Sequence, residues 1–388
     1  MSREPEIRVG LVGYGTAGEF FHAPLIAATP GLRLAAVVTG DRERAGRALR
    51  AHPGVDVVAS AGELPGRCDL IVIASPNRTH VPLARAALES GLPAVVDKPL
   101  AGTAAQARDL VRLAAERDLM LTVFQNRRWD GDFLTIRRLL PELGTIRRLE
   151  SRFERWRPVP KGGWRELGGA DEIGGVLYDL GSHLVDQALQ LLGPVSTVYA
   201  ETDVRRPGVR SDDDAFIALT HVNGARSHLW MSAVAGRLGP RFRVLGSRSA
   251  YVKWGLDPQE ACLRAGERPD SAAAPGGTGP LAGRDGEGRG AEPPDHRDAL
   301  RVRDHGWGVE PPDRWGELGV EGDNRRVPTE PGAYQEFYAG VVACLRDGAP
   351  PPVDPRDAVA SLAVLEAARH SAATRTVVSV VEPPETSR

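Results

Sequence analysis

The chain has 388 residues, which is more than one ordinary hydrophobic core contains and about the length of two domains of common size. Hydrophobic residues make up 41% and charged residues 26%, so the composition excludes a mainly disordered protein. With 49 basic and 51 acidic side chains the net charge is −2, which provides no overall basic field for nucleic acid or an anionic membrane, and we expect neither partner.

The cysteines and the N-terminal sequence indicate the compartment. Cys68, Cys262 and Cys344 lie far apart without a CxxC spacing, which predicts reduced thiols and no metal site. The N-terminal sequence MSREPEIRVGLVGYG has no apolar signal segment, and the longest apolar stretches are shorter than the roughly 20 residues of a membrane span. We therefore expect a cytoplasmic protein.

Short apolar runs alternate with amphipathic segments over residues 1–125, which is typical of parallel strands joined by crossover helices. The runs are 7–13, 32–39, 70–75, 93–98 and 119–124. Two intervening segments, HVPLARAALES and TAAQARDLVRLAAERD, have helical spacing, and Thr103 is positioned to cap the second. Residues 1–125 are predicted to form an α/β Rossmann domain with a doubly wound parallel sheet.

The pattern changes to longer strand-like runs in residues 126–388. Asn223-Gly224 and Gly246-Ser247 are turn signals between such runs, and they predict two hairpins. A helix is predicted at about 176–192. The second domain is therefore expected to be α+β, with an open, mainly antiparallel sheet.

Residues 266–332 are rich in Gly, Pro, Asp and Arg and contain few apolar positions, which predicts a long surface loop to which we assign no function. The helical period returns at 334–345 and 356–370, on either side of a Pro-rich turn.

A glycine-rich turn follows the first predicted strand and opens a helix. Gly13, Gly15 and Gly18 have the GxGxxG spacing in the strand-to-helix context that a dinucleotide requires, because they allow a tight turn, a close approach to the pyrophosphate and close helix packing. The predicted cofactor contacts of this turn are Gly13, Tyr14, Gly15, Thr16, Ala17 and Gly18.

The end of the second strand determines the expected coenzyme. Sites for NAD usually have a carboxylate there, whereas this chain has Thr39-Gly40, followed by Arg42 and Arg44, whose guanidinium groups suit a 2′-phosphate. NADP is therefore preferred over NAD. Asp41 could still serve NAD if the turn is one or two residues longer, and both arginines could belong to an ordinary solvated helical turn.

Two further segments carry groups suited to alcohol chemistry. Lysine occurs only three times, and Lys98 follows a central strand in the sequence VVDKP, where an ammonium could stabilise charge on a substrate oxygen. In the predicted 176–192 helix, Asp179 and His183 are separated by one turn, and histidine is suited to proton exchange with an alcohol. A polar stripe of this kind is also common on solvated helix faces.

Together these residues resemble the Gfo/Idh/MocA family of NAD(P)-dependent oxidoreductases, particularly its NADP-dependent scyllo-inositol dehydrogenase branch. The resemblance spans nearly the whole chain. Its main motifs are GYGTAGEFFHAPLI (13–26), SPNRTH (75–80), VVDKPL (95–100), VFQNRRWDGDFLT (123–135) and GGVLYDLGSHLVDQAL (174–189).

The resemblance implies roles for individual residues. His183 would be the acid/base, Asp179 would position it or a sugar hydroxyl, and Lys98 would orient substrate and nicotinamide. The further cofactor contacts that it implies are Ser75, Pro76, Asn77, His80, Lys98 and Gln125, and the further substrate contacts are Arg127 and Trp164. It also implies a homodimer or homotetramer formed through the C-terminal sheet.

The first functional hypothesis is an NAD(P)-dependent dehydrogenase that acts on a secondary alcohol of an inositol-like cyclic polyol or a sugar. A second is a dinucleotide-binding sensor without chemistry, since function belongs to sites and not to folds. A third keeps the hydride chemistry on a non-sugar substrate.

Overall fold

The structure is a computed structural model that describes residues 5–168, 172–269 and 306–380. Its first sheet has six parallel strands in the order β3-β2-β1-β4-β5-β6. The strands are β1 (Ile7–Val12), β2 (Leu32–Val38), β3 (Asp56–Val58), β4 (Leu70–Ile73), β5 (Ala94–Asp97) and β6 (Leu121–Phe124). The central strand β4, with the sequence LIVI, is buried throughout, as expected for a parallel sheet covered on both faces.

Helices connect these strands as the alternating pattern predicts. They are α1 (Ala23–Ala28), α2 (Arg42–Ala51), α3 (His80–Glu89) and α4 (Ala104–Glu116). The predicted cap of α4 is confirmed, because the Thr103 side chain accepts a hydrogen bond of 3.2 Å from the backbone N–H of Gln106. The edge strand β3 was not predicted, since three residues are too few to show an alternating pattern.

The second sheet has nine strands in the order β14-β13-β12-β11-β7-β10-β9-β8-β15. Only β7 and β10 pair in parallel, so the sheet is mainly antiparallel, as predicted. Its strands are β7 (Ile146–Glu154), β8 (Val195–Asp203), β9 (Asp214–His221), β10 (Arg226–Ser232), β11 (Phe242–Gly246), β12 (Ala250–Lys253), β13 (Gly316–Val320), β14 (Asp323–Val327) and β15 (Val378–Ser379). Both predicted hairpins are confirmed, as the β9·β10 and β11·β12 pairs.

Seven helices belong to the second half of the described chain. They are α5 (Gly131–Leu143), α6 (Trp164–Leu167), α7 (Val176–Asp179), α8 (Gly181–Leu192), α9 (Gln259–Arg264), α10 (Gln335–Asp347) and α11 (Pro355–Thr374). The single helix expected at 176–192 is interrupted at Leu180, between α7 and α8. This interruption affects how Asp179 is presented, as described below.

The prediction of a loop throughout 266–332 is wrong for its last part. Strands β13 and β14 form a hairpin at the edge of the second sheet, and residues 270–305 lie outside the described residues. The hairpin buries Leu318 and Val327 but few other side chains. Because an edge strand needs little apolar surface, the polar composition concealed this strand pair.

The last helix contacts both sheets. Helix α11 packs against β8 of the second sheet and against α4 and β6 of the first domain. In the preceding loop the carbonyl oxygen of Val353 accepts a hydrogen bond of 2.8 Å from the Thr122 hydroxyl in β6. The C-terminal segment therefore ties the first domain to the second. Within the described ranges, none of the helices combines the length and apolarity that a membrane crossing requires.

Candidate active-site cleft

A cleft of about 1150 Å³ lies between the carboxyl ends of the first sheet and the inner side of the second domain. The first domain contributes Thr16, Ala17 and Lys98, and the second contributes Asp179 and His183. Ligands bind outside strand carboxyl ends in open α/β sheets, so the position is the expected one. No group of three or more His, Cys, Asp or Glu side chains in the described ranges is arranged to hold a metal ion.

The glycine-rich turn has the geometry that a dinucleotide needs. Gly13 has a φ of 98°, and a Cβ there would lie 2.8 Å from the carbonyl oxygen of Ala74. A Cβ on Gly18 would collide with the carbonyl oxygen of Gly13. At Gly15, in contrast, a Cβ would meet no atom within 4 Å, so the space in front of this backbone is open. The residues present therefore fit a phosphate-bearing dinucleotide.

The segment after β2 carries two exposed arginines, of which Arg44 lies 3.8 Å from the Asp41 carboxylate. Asp41 caps α2, because its side chain accepts hydrogen bonds of 2.9 and 3.0 Å from the N–H groups of Glu43 and Arg44. These backbone bonds, that from Arg44 foremost, lower the pKa of Asp41. The Thr39 hydroxyl in turn accepts from the N–H of Asp41 at 3.3 Å, and Arg42 and Arg44 are exposed.

The turn after β4 is held by its own side chains. The hydroxyls of Ser75 and Thr79 are 2.6 Å apart, and the Asn77 amide donates to the carbonyl oxygen of Ile173 at 3.0 Å. The fully buried ring of His80 lies 2.8 Å from the Pro99 oxygen and 2.9 Å from the Ser75 oxygen. The residues that line the cleft do not include Ser75, Pro76, Asn77 or His80.

The stretch after β6 contributes Arg127 to the cleft. Its guanidinium group is 3.2 Å from Asp130 and 2.9 Å from Glu260. Burial opposes its charge, but Asp130 and other neighbours raise the pKa of Arg127 above its ordinary value. Gln125 is buried and is not among the residues that line the cleft, whereas Trp164 lines it.

Lys98 and Asp179 meet across the cleft. The Lys98 ammonium donates to the Asp179 carboxylate at 2.9 Å and to the Asp179 carbonyl oxygen at 2.8 Å, and Arg165 lies 3.4 Å from the same carboxylate. Burial favours the neutral acid, but these cations, Lys98 first, hold the pKa of Asp179 far below its usual range. The carboxylate is therefore ionised and fixes the position of the ammonium.

The interruption of the helix at Leu180 leaves the carbonyl oxygen of Asp179 available to Lys98. In a continuous helix the Asp179 carbonyl would accept from the N–H of His183, but that N–H bonds to Leu180 instead, at 3.1 Å. The released carbonyl oxygen accepts from Lys98. Because of this break, Lys98 has two hydrogen-bond acceptors on Asp179, the carboxylate and the carbonyl oxygen.

His183 lies beside this pair with an uncommitted nitrogen. It is 6% exposed, and its Nδ1 atom has no hydrogen-bond partner in the described ranges. In His80 and His221, by contrast, both ring nitrogens have partners. Burial and the charges of Lys98 and Arg127 lower the pKa of His183 well below its ordinary value, so the imidazole is neutral at pH 7.

Sequence reasoning missed two further groups in the cleft. His22 is fully buried, and its Nδ1 atom lies 2.6 Å from the Tyr338 hydroxyl while its Nε2 atom faces Asp97 at 3.8 Å. Arg155 follows β7 and lines the cleft. His22 lies within the quoted GYGTAGEFFHAPLI motif and could have been noticed there, whereas Arg155 is one arginine among many and carried no signal.

Comparison with known proteins agrees with this geometry. An oxidoreductase-family model described as an NAD-binding Rossmann fold matches residues 7–125. A Gfo/Idh/MocA C-terminal domain model matches residues 133–252, and an oxidoreductase-family C-terminal α/β domain model matches residues 283–380. The chain belongs to the Gfo/Idh/MocA oxidoreductase family. The predicted family and fold class are thereby confirmed, and the last match includes part of the segment in which sequence reasoning placed no family motif.

Relatives of this Gfo/Idh/MocA chain align with it over nearly their full length. The uncharacterized oxidoreductase YdgJ of Escherichia coli (strain K12) is 39% identical over 94% of this chain and 96% of its own. The scyllo-inositol 2-dehydrogenase (NADP(+)) IolW of Bacillus subtilis (strain 168) is 30% identical over 94% of this chain and 93% of its own. The solved structure of YPO2259 from Yersinia pestis superposes with a TM-score of 0.81 at 36% identity, and the match covers 98% of this chain and 99% of that one.

Proposed function

We propose that the protein is an NADP-dependent dehydrogenase that acts on a secondary alcohol of a cyclic polyol or sugar, as the name of the relative IolW suggests. The observation that carries the proposal is the contact of Lys98 with Asp179, 2.9 Å between ammonium and carboxylate, beside the neutral imidazole of His183. The His183 imidazole can accept a proton, and the Lys98 ammonium can donate a hydrogen bond to an alcohol oxygen in the same cleft.

The chain's own residues account for the proton and the oxygen. A bound nicotinamide dinucleotide supplies the hydride acceptor, or the donor in the reverse direction. The Lys98 ammonium hydrogen-bonds the substrate oxygen and stabilises the negative charge that develops on it. The His183 imidazole takes the hydroxyl proton, and the ionised Asp179 keeps the ammonium oriented.

A panel of inositols and aldoses with NADP and NAD tests the proposal. Reduction of the dinucleotide by at least one of these alcohols is the expected result, and it must need both Lys98 and His183. Tight dinucleotide binding with no turnover of any polyol, sugar or non-sugar alcohol would instead identify a sensor.

The proposed preference for NADP rests on Arg42 and Arg44. Both are exposed after β2, and Asp41, the carboxylate that precedes them, is occupied as the cap of α2. We expect the double variant Arg42→Ala/Arg44→Ala to bind NADP about tenfold or more weakly, because two guanidinium partners of the 2′-phosphate are removed, and to bind NAD unchanged. Quenching of nicotinamide fluorescence measures both affinities.

A matched variant separates this effect from a loss of general surface charge. Arg112 is exposed on α4, where it pairs with Glu116 at 2.9 Å. Arg112→Ala should change neither affinity. An equal loss of NAD and NADP binding in the double variant would contradict the assignment.

We also propose that the protein forms a homodimer or homotetramer through the outer face of the second sheet. On that face Phe216 and Trp230 have ring centroids 5.1 Å apart, and Arg152 lies 3.9 Å over the Trp230 ring, all three only partly buried. Such a cluster is typical of an interface core. Light scattering should give the mass of two or four chains, and Trp230→Glu should reduce it to that of one.

The proposed compartment is the cytoplasm. Cys68 and Cys262 are buried and Cys344 is partly buried, none of the three forms a disulfide, and thiols of this kind persist in a reducing environment.

A further inference from the structure

Arg155 presents an uncommitted guanidinium group to the cleft. Its backbone is fixed at the end of β7, with the N–H bonded to Ser232 at 2.8 Å and the carbonyl oxygen accepting from Ala235 at 3.1 Å. Its side chain is partly buried, and the guanidinium carbon lies 4.7 Å from the centroid of the Phe153 ring. Within the described ranges this guanidinium forms neither a hydrogen bond nor an ion pair with another residue.

The carboxylates near Arg155 are already occupied by other cations. Asp179 takes contacts from Lys98 at 2.9 Å and Arg165 at 3.4 Å. Glu260 takes contacts from Arg127 at 2.9 Å and Arg264 at 3.1 Å. Both carboxylates therefore already contact other cations, one of which, Arg127, also pairs with Asp130 at 3.2 Å, and Arg155 forms no ion pair within the described ranges.

An anion that enters the cleft would provide the ion-pair partner that Arg155 lacks. Burial lowers the pKa of Arg155 to about 10; Arg157 and Arg127 act in the same direction, and Glu260 and Asp179 offset part of the shift. The group is still protonated at pH 7, so the cleft holds a desolvated charge with unused N–H donors. A neutral hydroxyl could accept one of these hydrogen bonds but would not balance the charge, whereas a carboxylate or phosphate does both and matches the planar guanidinium in a bidentate geometry.

We propose that the substrate of this enzyme is an anionic polyol or sugar, whose carboxylate or phosphate is bound by Arg155 while its reacting alcohol faces Lys98 and His183. The inference rests on the proposed function and specifies its substrate class. It assigns Arg155 to substrate recognition and not to the dinucleotide, since the open phosphate-binding turn at Gly15 belongs to the first domain.

Three sugars that share one ring test the proposal: D-glucose, D-glucuronate and D-glucose 6-phosphate. With the full-length protein and its preferred dinucleotide, kcat/KM for at least one charged sugar should exceed that for glucose by about tenfold or more. Arg155→Gln should abolish this preference, mainly by raising KM for the charged sugar. Arg155→Lys should restore part of it, because charge returns without the bidentate fork.

The two charged sugars distinguish the possible anions. A preference for glucuronate identifies a carboxylate and a preference for the phosphate ester identifies a phosphate. Arg112→Gln, which removes an exposed guanidinium from α4, should leave all three kcat/KM values unchanged. Equal kcat/KM for charged and neutral sugars, or a preference that survives Arg155→Gln, would overturn the proposal. A weakened dinucleotide affinity that accounts for the whole loss of preference in Arg155→Gln would also overturn it.

A binding measurement separates this proposal from the proposed function. Isothermal titration of each sugar into the dinucleotide-saturated protein needs no turnover. Tighter binding of a charged sugar that is lost in Arg155→Gln supports the anion site even if no alcohol is oxidised, in which case only the dehydrogenase assignment fails. Turnover of neutral sugars without any charge preference upholds the dehydrogenase and rejects the anion site.

Discussion

Lys98→Met is expected to lower kcat/KM for the alcohol substrate by about 10³. The substitution removes the donor to the substrate oxygen, and it also leaves the Asp179 carboxylate with Arg165 as its remaining ion-pair partner. The pKa of Asp179, which Lys98 now holds down, should rise in the variant. Steady-state kinetics with saturating dinucleotide measures the loss.

Dinucleotide affinity and thermal melting provide the controls for Lys98→Met. A variant that is properly folded and still binds the dinucleotide, yet has lost turnover, indicates a role in the reaction. Arg112→Met removes one exposed cation from α4 and should leave kcat/KM within about twofold, since exposed ion pairs contribute little. A loss of less than about tenfold in Lys98→Met would remove this residue from the reacting centre.

His183→Asn should lower kcat by about 10² to 10⁴, the usual contribution of a positioned acid or base. In the wild-type protein, oxidation needs the neutral imidazole. Burial, Lys98, Arg127 and Arg241 lower the pKa of His183 below the ordinary 6.5, and Asp179 only partly offsets them. Oxidation should therefore be independent of this group above pH 6.5 and decline on its acid side, with a midpoint below 6.5.

The pH profile of His183→Asn distinguishes a proton acceptor from a structural side chain. The acid limb should disappear along with most of the activity. His370 is exposed on α11, and His370→Asn should keep both rate and profile. An acid limb that remains unchanged in His183→Asn would assign the titration to another group.

The sequence was most informative where one local pattern determines the structure. The strand-to-helix glycine turn, the Thr103 cap and the Asn223-Gly224 hairpin depend on neighbouring residues alone, and the structure has all three. Lys98 was correctly predicted at the end of a strand, because a rare residue type after an apolar run is visible without any tertiary information.

The parts that sequence reasoning missed depend on contacts between distant segments. The 176–192 periodicity indicates one helix, but the carbonyl oxygen that would continue it at Asp179 bonds to Lys98, 81 residues earlier. The electrostatic surroundings of Arg155 are likewise set by Asp179 and Glu260, which come from two other segments. Strands β13 and β14 were not predicted from the sequence, because they are stabilised by pairing with the sheet that they extend.

The hydrogen-bond contact between His22 and Tyr338 joins the beginning of the fold to one of its last helices. Domain exchange between relatives must take this into account. A chimera that transplants residues 1–125 alone to change coenzyme use would confront the incoming His22 with a foreign α10, so the two segments need to be exchanged together. The part of the chain that must be exchanged to change coenzyme use therefore consists of two segments that are far apart in the sequence.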